Sequence, residues 1–144
     1  MQGTAKQLAK QFIASLEIVG AQCNLRCSQY ESLVRPTQNL LDLSGSLDCL
    51  LYFKVRSESP HQWGVTKPRI EELKRARRRW CVVLLCDGPT SGYFLAADDV
   101  ERYLQEHRWP LAHGKNRNEY KISPGRALEY NRRVESIEHL KGPK

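Results

Sequence analysis

An α/β domain, with its strands gathered into one sheet, is the fold class this sequence predicts, and three features predict it. Residues 47–55 are β-prone and alternate cleanly between two faces. Residues 80–86, WCVVLLC, form the near-continuous apolar run of a central strand covered on both sides. Ala5, Leu8, Ala9, Phe12, Ile13 and Leu16 recur at the i, i+3, i+4, i+7 spacing of a helix with one buried face. The resulting order is α-β-β-β-α-β, continued by one more strand and helix.

Taken in order, Thr4 is placed to cap the first helix and Gly20 to stop it. Residues 21–30 then read as a strand, with Cys23, Leu25 and Cys27 alternating against Asn24, Arg26 and Ser28. A hairpin follows, with strands at 39–43 and 47–55 around Ser44-Gly45-Ser46, and Gly45 suits a two-residue type II′ turn. On its second strand Leu47, Cys49, Leu51, Phe53 and Val55 make a core face. Asp48, Leu50, Tyr52, Lys54 and Arg56 make the opposite one. Residues 57–64 read as a polar loop broken by Pro60. Thr66 can cap a second helix over 67–77 that turns Ile70, Leu73 and Ala76 inward. After the 80–86 strand, a turn-rich segment leads to a short strand at 93–96, and Asp98 or Asp99 caps a helix over 100–107. Residues 119–122 read as a last strand, and Ser123-Pro124 as the opening of a short helix to Tyr130.

The chain has 144 residues, enough for one domain with a real core. No apolar run approaches the ~20 residues of a membrane span, and the first residues lack a signal-peptide core. Of five cysteines, Cys49, Cys81 and Cys86 sit in apolar strand-like runs. Buried free thiols fit a reducing compartment, so the expected location is cytoplasmic or nucleoid. Cys23-x3-Cys27 finds no second ligand pair at zinc spacing, so no zinc is expected.

The net charge is +7 with a pI near 9.3. Seven of the thirteen residues from 67 to 79 are basic: Lys67, Arg69, Lys74, Arg75, Arg77, Arg78 and Arg79. A charge run is usually a solvated helix face, and cations near a helix C-terminus are favoured by its dipole. A second cluster follows at Lys115, Arg117, Lys121, Arg126, Arg132 and Arg133. Two such clusters flanking a sheet domain are the footprint of a polyanion binder. Nucleic acid is the expected partner, DNA ahead of RNA, with no membrane, and a homodimer is compatible with this. Trp63 is placed either to stack on a base or to anchor its loop to the core. Phosphate-binding loops, dinucleotide fingerprints and GxSxG elbows are absent from the sequence.

Lys54 is the unusual residue, a lysine amid a core strand. It reads either as an edge lysine that opposes aggregation or as a group pointing into a functional cleft. The order helix, strand, hairpin, helix, strand with that lysine resembles the PD-(D/E)XK nuclease-like superfamily over residues 4–97. Restriction endonucleases and archaeal Holliday-junction resolvases share that core. The resemblance implies a restriction-endonuclease-like fold, a mixed central sheet flanked by helices. Pro36 would match the motif's proline and Lys54 its lysine. Thr37 and Tyr52 stand where the motif wants its two acids. A type II′ turn at Gly45-Ser46 would set Thr37 across from Lys54.

Magnesium binds hard oxygens, through one or two carboxylates plus substrate phosphate, and two hydroxyls do not replace those carboxylates. Glu17 could join from the first helix. Asp48 shares the Lys54 face but lies ~20 Å away at ~3.3 Å per residue, and Asp42 has the same difficulty. The reading is therefore a nucleic-acid-binding, nuclease-like module with a degenerate site and no cofactor. One alternative is an active Mg-dependent DNA endonuclease, a phosphodiester hydrolase with displaced acids. The other is a protein-interaction subunit whose basic surface meets an acidic partner.

Overall fold

The computed structural model describes residues 5–32, 37, 39–45, 48–56, 62–86, 92–111, 118–123 and 133–134. Helix α1 spans Ala5–Cys23 and is followed by strands β1 (Leu25–Gln29), β2 (Leu40–Gly45), β3 (Cys49–Arg56) and β4 (Trp63–Thr66). Next come α2 (Lys67–Arg75), β5 (Trp80–Cys86), β6 (Gly92–Ala96) and α3 (Ala97–Gln105), then β7 (Glu119–Ile122) and β8 (Arg133–Val134). Helix α1 runs through Gly20 and stops at Asn24, whose φ of 59° gives the left-handed residue that ends many helices. The strand expected from residue 21 therefore starts only at Leu25.

Six strands form one sheet in the order β1-β2-β3-β5-β6-β8. Neighbours run antiparallel except β3 and β5, which are parallel with Tyr52 opposite Val82 and Lys54 opposite Leu84. A parallel pair needs a crossover, and β4 with α2 supplies it. Strands β4 and β7 pair in a second, two-stranded sheet, with Gly64 opposite Lys121 and Thr66 opposite Glu119. The expected polar loop to Gly64 thus ends in a strand at Trp63.

Both faces of the six-stranded sheet are covered, so β3 has two core faces where alternation predicted one. Phe12 and Leu16 of α1 pack on Leu41, Leu43, Leu51, Phe53, Val83 and Leu85. On the opposite face Leu40, Leu50, Tyr52, Val82 and Leu84 meet Ile70 and Leu73 of α2, Val100 and Tyr103 of α3, and Trp63, Val65 and Ile122 of the small sheet. The hairpin register pairs Leu40 with Tyr52 and Leu43 with Cys49, one residue off the expected pairing. Helix α3 starts three residues early, with the Asp99 carboxylate accepting the Ala96 N–H at 3.2 Å. The expected helix at 124–130 lies outside the described residues.

Candidate functional site

Lys54 sits near the end of β3, on the face that carries Leu50 and Tyr52, and is half-buried. Burial pushes its ammonium below the usual lysine range; the Glu119 carboxylate opposes that shift, and Arg69 and Lys121 add to it. Tyr52, two residues earlier, is buried and has the Arg69 guanidinium 5.5 Å from its ring centroid. Burial raises the Tyr52 hydroxyl's pKa, and Arg69 acts against that rise.

Arg69 belongs to α2 and is only 5 % exposed. Its Nη1 donates to Ser32 Oγ at 2.7 Å and to Glu72 Oε1 at 2.8 Å, and the Ser32 hydroxyl lies 2.8 Å from Glu72 Oε2. The Ser32 hydroxyl thus bridges the two partners of a buried ion pair. Above it, Lys121 Nζ reaches Glu119 Oε1 at 2.6 Å. A Cβ at Gly64 would collide with the Glu119 carboxyl group, so glycine leaves the space that this carboxylate fills.

The other predicted site residues lie elsewhere. Thr37 Oγ1 accepts the Asn39 N–H at 3.1 Å, and the Thr37 carbonyl accepts from Gln29 at 2.9 Å. The observed pairs, from Leu40 with Tyr52 to Leu43 with Cys49, are one residue out of the register that would set Thr37 across from Lys54. This corrects the expected geometry, because a one-residue slip sends a side chain to the other face. Pro36 and position 38 lie outside the described residues. Glu17 is exposed on α1, which covers the opposite face of the sheet, in a cleft with Arg26, Ser28 and Ser44. It adds to the burial that pushes the neighbouring Cys27 thiol up to about 11. Leu25 pairs with Gly45, so that cleft is at the turn end of the hairpin and Lys54 at its other end. Asp42 and Asp48 both bind Arg78, at 2.9 and 2.6 Å.

The basic run divides in the same way. Arg69 is buried, Arg78 holds two carboxylates, and Lys74 lies 3.5 Å from Glu101. Lys67, Arg75, Arg77 and Arg79 are exposed. Trp63 is 2 % exposed, and its indole N–H donates to the Leu85 carbonyl at 3.0 Å. A base cannot stack on a ring so enclosed; of its two expected roles, the anchor is the one observed. In the second basic cluster, Lys121 is paired with Glu119, whereas Lys115, Arg117, Arg126 and Arg132 lie outside the described residues.

The same arrangement of sheet and helices occurs in a known structure. The chain superposes on Hjc from Archaeoglobus fulgidus, a Holliday junction resolvase from an archaeal hyperthermophile, with a TM-score of 0.53. The match covers 92 % of this chain and 94 % of that one, at 10 % identity. The fold is restriction-endonuclease-like. No family model matches the chain, and no curated protein matches it in sequence.

In a restriction-endonuclease-like site, the motif expects carboxylates for magnesium beside the lysine. The charges that act on Lys54 among the described residues are those of Glu119, Arg69 and Lys121. Among the described residues, no three His, Cys, Asp or Glu side chains cluster. Tyr52 contributes a phenol beneath a guanidinium. A divalent cation needs several hard oxygens and gains nothing from ammonium neighbours, so the described residues around Lys54 do not fit magnesium. No helix among the described residues is long and apolar enough to cross a membrane.

Proposed function

We propose that this protein is a nucleic-acid-binding, nuclease-like module whose hydrolytic site has degenerated, acting on DNA ahead of RNA. The observation that carries the reading is that Tyr52, beneath the Arg69 guanidinium, stands beside Lys54 where the motif wants an acid, with no cluster of three His, Cys, Asp or Glu among the described residues. Lys54 remains able to meet a phosphate oxygen, and among the described residues no cluster of carboxylates accompanies it to hold the metal that in-line attack on phosphorus requires.

The exposed cations support the binding half of the proposal. Lys67 begins α2, Arg75 ends it, and Arg77 and Arg79 follow its C-terminal end. Nine helical residues span ~13 Å at ~1.5 Å each, so this row can follow successive phosphates of a backbone. Lys67 N–H bonds the Asn118 carbonyl at 2.7 Å, which ties the start of the row to β7 and the Glu119–Lys121 pair. Contacts of this kind position a duplex without reading its sequence. The likeness to a Holliday junction resolvase agrees with this choice of partner.

The test is a cleavage assay on plasmid and four-way-junction DNA with Mg²⁺ or Mn²⁺, comparing the native chain with Lys54→Ala. The expected result is no cutting beyond that control. Metal-dependent cutting that Lys54→Ala abolishes would replace this reading with an active endonuclease whose acids are displaced.

A further inference from the structure

We infer that Cys49 and Cys81 form a redox-sensitive thiol pair, a modification site at which a peroxide closes a reversible disulfide between β3 and β5. The assignment is independent of what the basic row binds.

Cys49 opens β3, and Cys81 is the second residue of β5. Cys81 pairs with Leu51, and residues two apart on a strand share a face, so the two cysteines are diagonal neighbours on one face. Both are free thiols, and their sulfurs lie 3.7 Å apart. A disulfide holds its sulfurs ~2 Å apart, so closing it asks for a movement of less than about 2 Å. Cys49 is buried and Cys81 half-buried, which gives the pair a narrow opening suited to a small oxidant. Among the described residues no third His, Cys, Asp or Glu joins them, so the pair lacks the ligand set of a structural metal site.

A buried thiol by itself is inert; reactivity needs a thiolate in positive surroundings. The Cys49 S–H donates to the Leu50 carbonyl at 3.2 Å, and once that proton leaves, the Cys81 S–H can donate to the Cys49 sulfur. That S–H, then Arg79 and Arg78, hold the Cys49 thiol below the usual range, against its burial and the Asp48 carboxylate. The turn after α2 delivers both arginines. Arg78 binds Asp48, the residue before Cys49, at 2.6 Å, and the Arg79 carbonyl accepts the Leu50 N–H at 2.9 Å.

The Cys49 thiolate attacks one oxygen of hydrogen peroxide. A sulfur–oxygen bond forms, the oxygen–oxygen bond breaks, and the departing hydroxide takes a proton to become water. The Cys81 sulfur, giving up its proton, then attacks the Cys49 sulfur and expels the second oxygen as water. Two thiols have lost two electrons and two protons, and the peroxide has become two waters. Because the cysteines are diagonal rather than opposite, the bond draws the starts of β3 and β5 together under strain. Strained disulfides are the easily reduced ones.

The experiment exposes the freshly reduced full chain to hydrogen peroxide, caps it with N-ethylmaleimide, digests it and sequences the fragments by mass spectrometry. The expected product is one cross-link, Cys49 to Cys81, lighter by two hydrogens and opened again by dithiothreitol. Cys27 is the reference, because burial, with Glu17 and Asp42, pushes its thiol up to about 11. A thiol held so high has about a hundred-fold less thiolate than an ordinary one, and its greater nucleophilicity returns about ten-fold, so Cys49 should react about ten-fold faster. Cys49→Ser and Cys81→Ser should each remove the cross-link. Should a variant fail to fold, the native chain in urea is the second comparison: preference for this pair among the five cysteines should vanish there. The inference is overturned if Cys49 and Cys81 are still capped when Cys27 has reacted, or if the folded chain closes a different pair. A product that resists dithiothreitol, or the same preference in urea, overturns it equally.

Discussion

Lys54 shows what a single buried charge does to both stability and function. Its folded-state pKa is lowered, chiefly by burial, so the unfolded chain holds the proton more tightly than the native one. Stability contributed by this residue therefore rises with pH through the window between its folded value and the ordinary ~10.4 of lysine. Lys54→Met removes the penalty and keeps the volume. It should be more stable than the native chain in urea unfolding at pH 7, with the difference shrinking as the pH is raised towards 10.4. A constant difference across that range would show that Lys54 is not held at a cost. Trp63→Phe has the opposite signature. Losing the bond to the Leu85 carbonyl should cost about 1–3 kcal/mol, because a buried acceptor is left unmade, while nucleic-acid affinity stays unchanged. At this scale the sequence was only partly legible. Lys54 stood out as a lysine in an apolar strand. Arg69 hid within a basic run, although its spacing to Glu72 and Leu73, three and four residues on, puts it on the inner face of α2. Glu119 gave no signal, since the space its carboxylate fills is left by Gly64 on another strand.

Helix α2 and the β2–β3 hairpin depend on each other through Arg78. Its guanidinium bonds both oxygens of Asp42, at 3.1 and 2.9 Å, and Asp48 at 2.6 Å. It joins the turn after α2 to both arms of the hairpin, so it is a structural clamp within the basic run. Arg78→Gln should lower stability by about 1 kcal/mol, the scale of a partly exposed ion pair with good geometry. Duplex affinity, measured under conditions where the variant is folded, should change less than for Arg75→Gln or Arg77→Gln. An equal loss of affinity for Arg78→Gln would put its side chain on the nucleic acid instead. The strands at 80–86 and 119–122 were legible because apolar runs and alternation mark β-structure wherever they are long enough or isolated. The hairpin register was not. A two-residue turn would keep Thr37 opposite Lys54, but Leu43 pairs with Cys49 and leaves five residues between them. Strand β4 was hidden because its four residues include a glycine and its partner β7 lies more than fifty residues away.

For the whole molecule, topology and charge divide the work. A mixed sheet buried on both faces sets Tyr52 of β3 beneath Arg69 of α2, two residues before Lys54. Lys67, Arg75, Arg77 and Arg79, along α2 and just beyond it, form a row of exposed cations with no ion pair among the described residues. On the proposed function, this chain grips a phosphate backbone without cutting it. The most direct measurement is duplex affinity as a function of salt, for the native chain and for a variant with Lys67, Arg75, Arg77 and Arg79 all changed to Gln. Glutamine keeps helix propensity, and among the described residues these four cations make no ion pair, so the variant should fold like the native chain. Each cation that meets a duplex phosphate adds about 0.9 to the slope of log affinity against log salt. The native chain should show a steep slope, and the variant should bind more weakly with a slope flatter by about three to four units. A folded variant with unchanged affinity and slope would contradict the account and leave this row of cations as a solvated helix face.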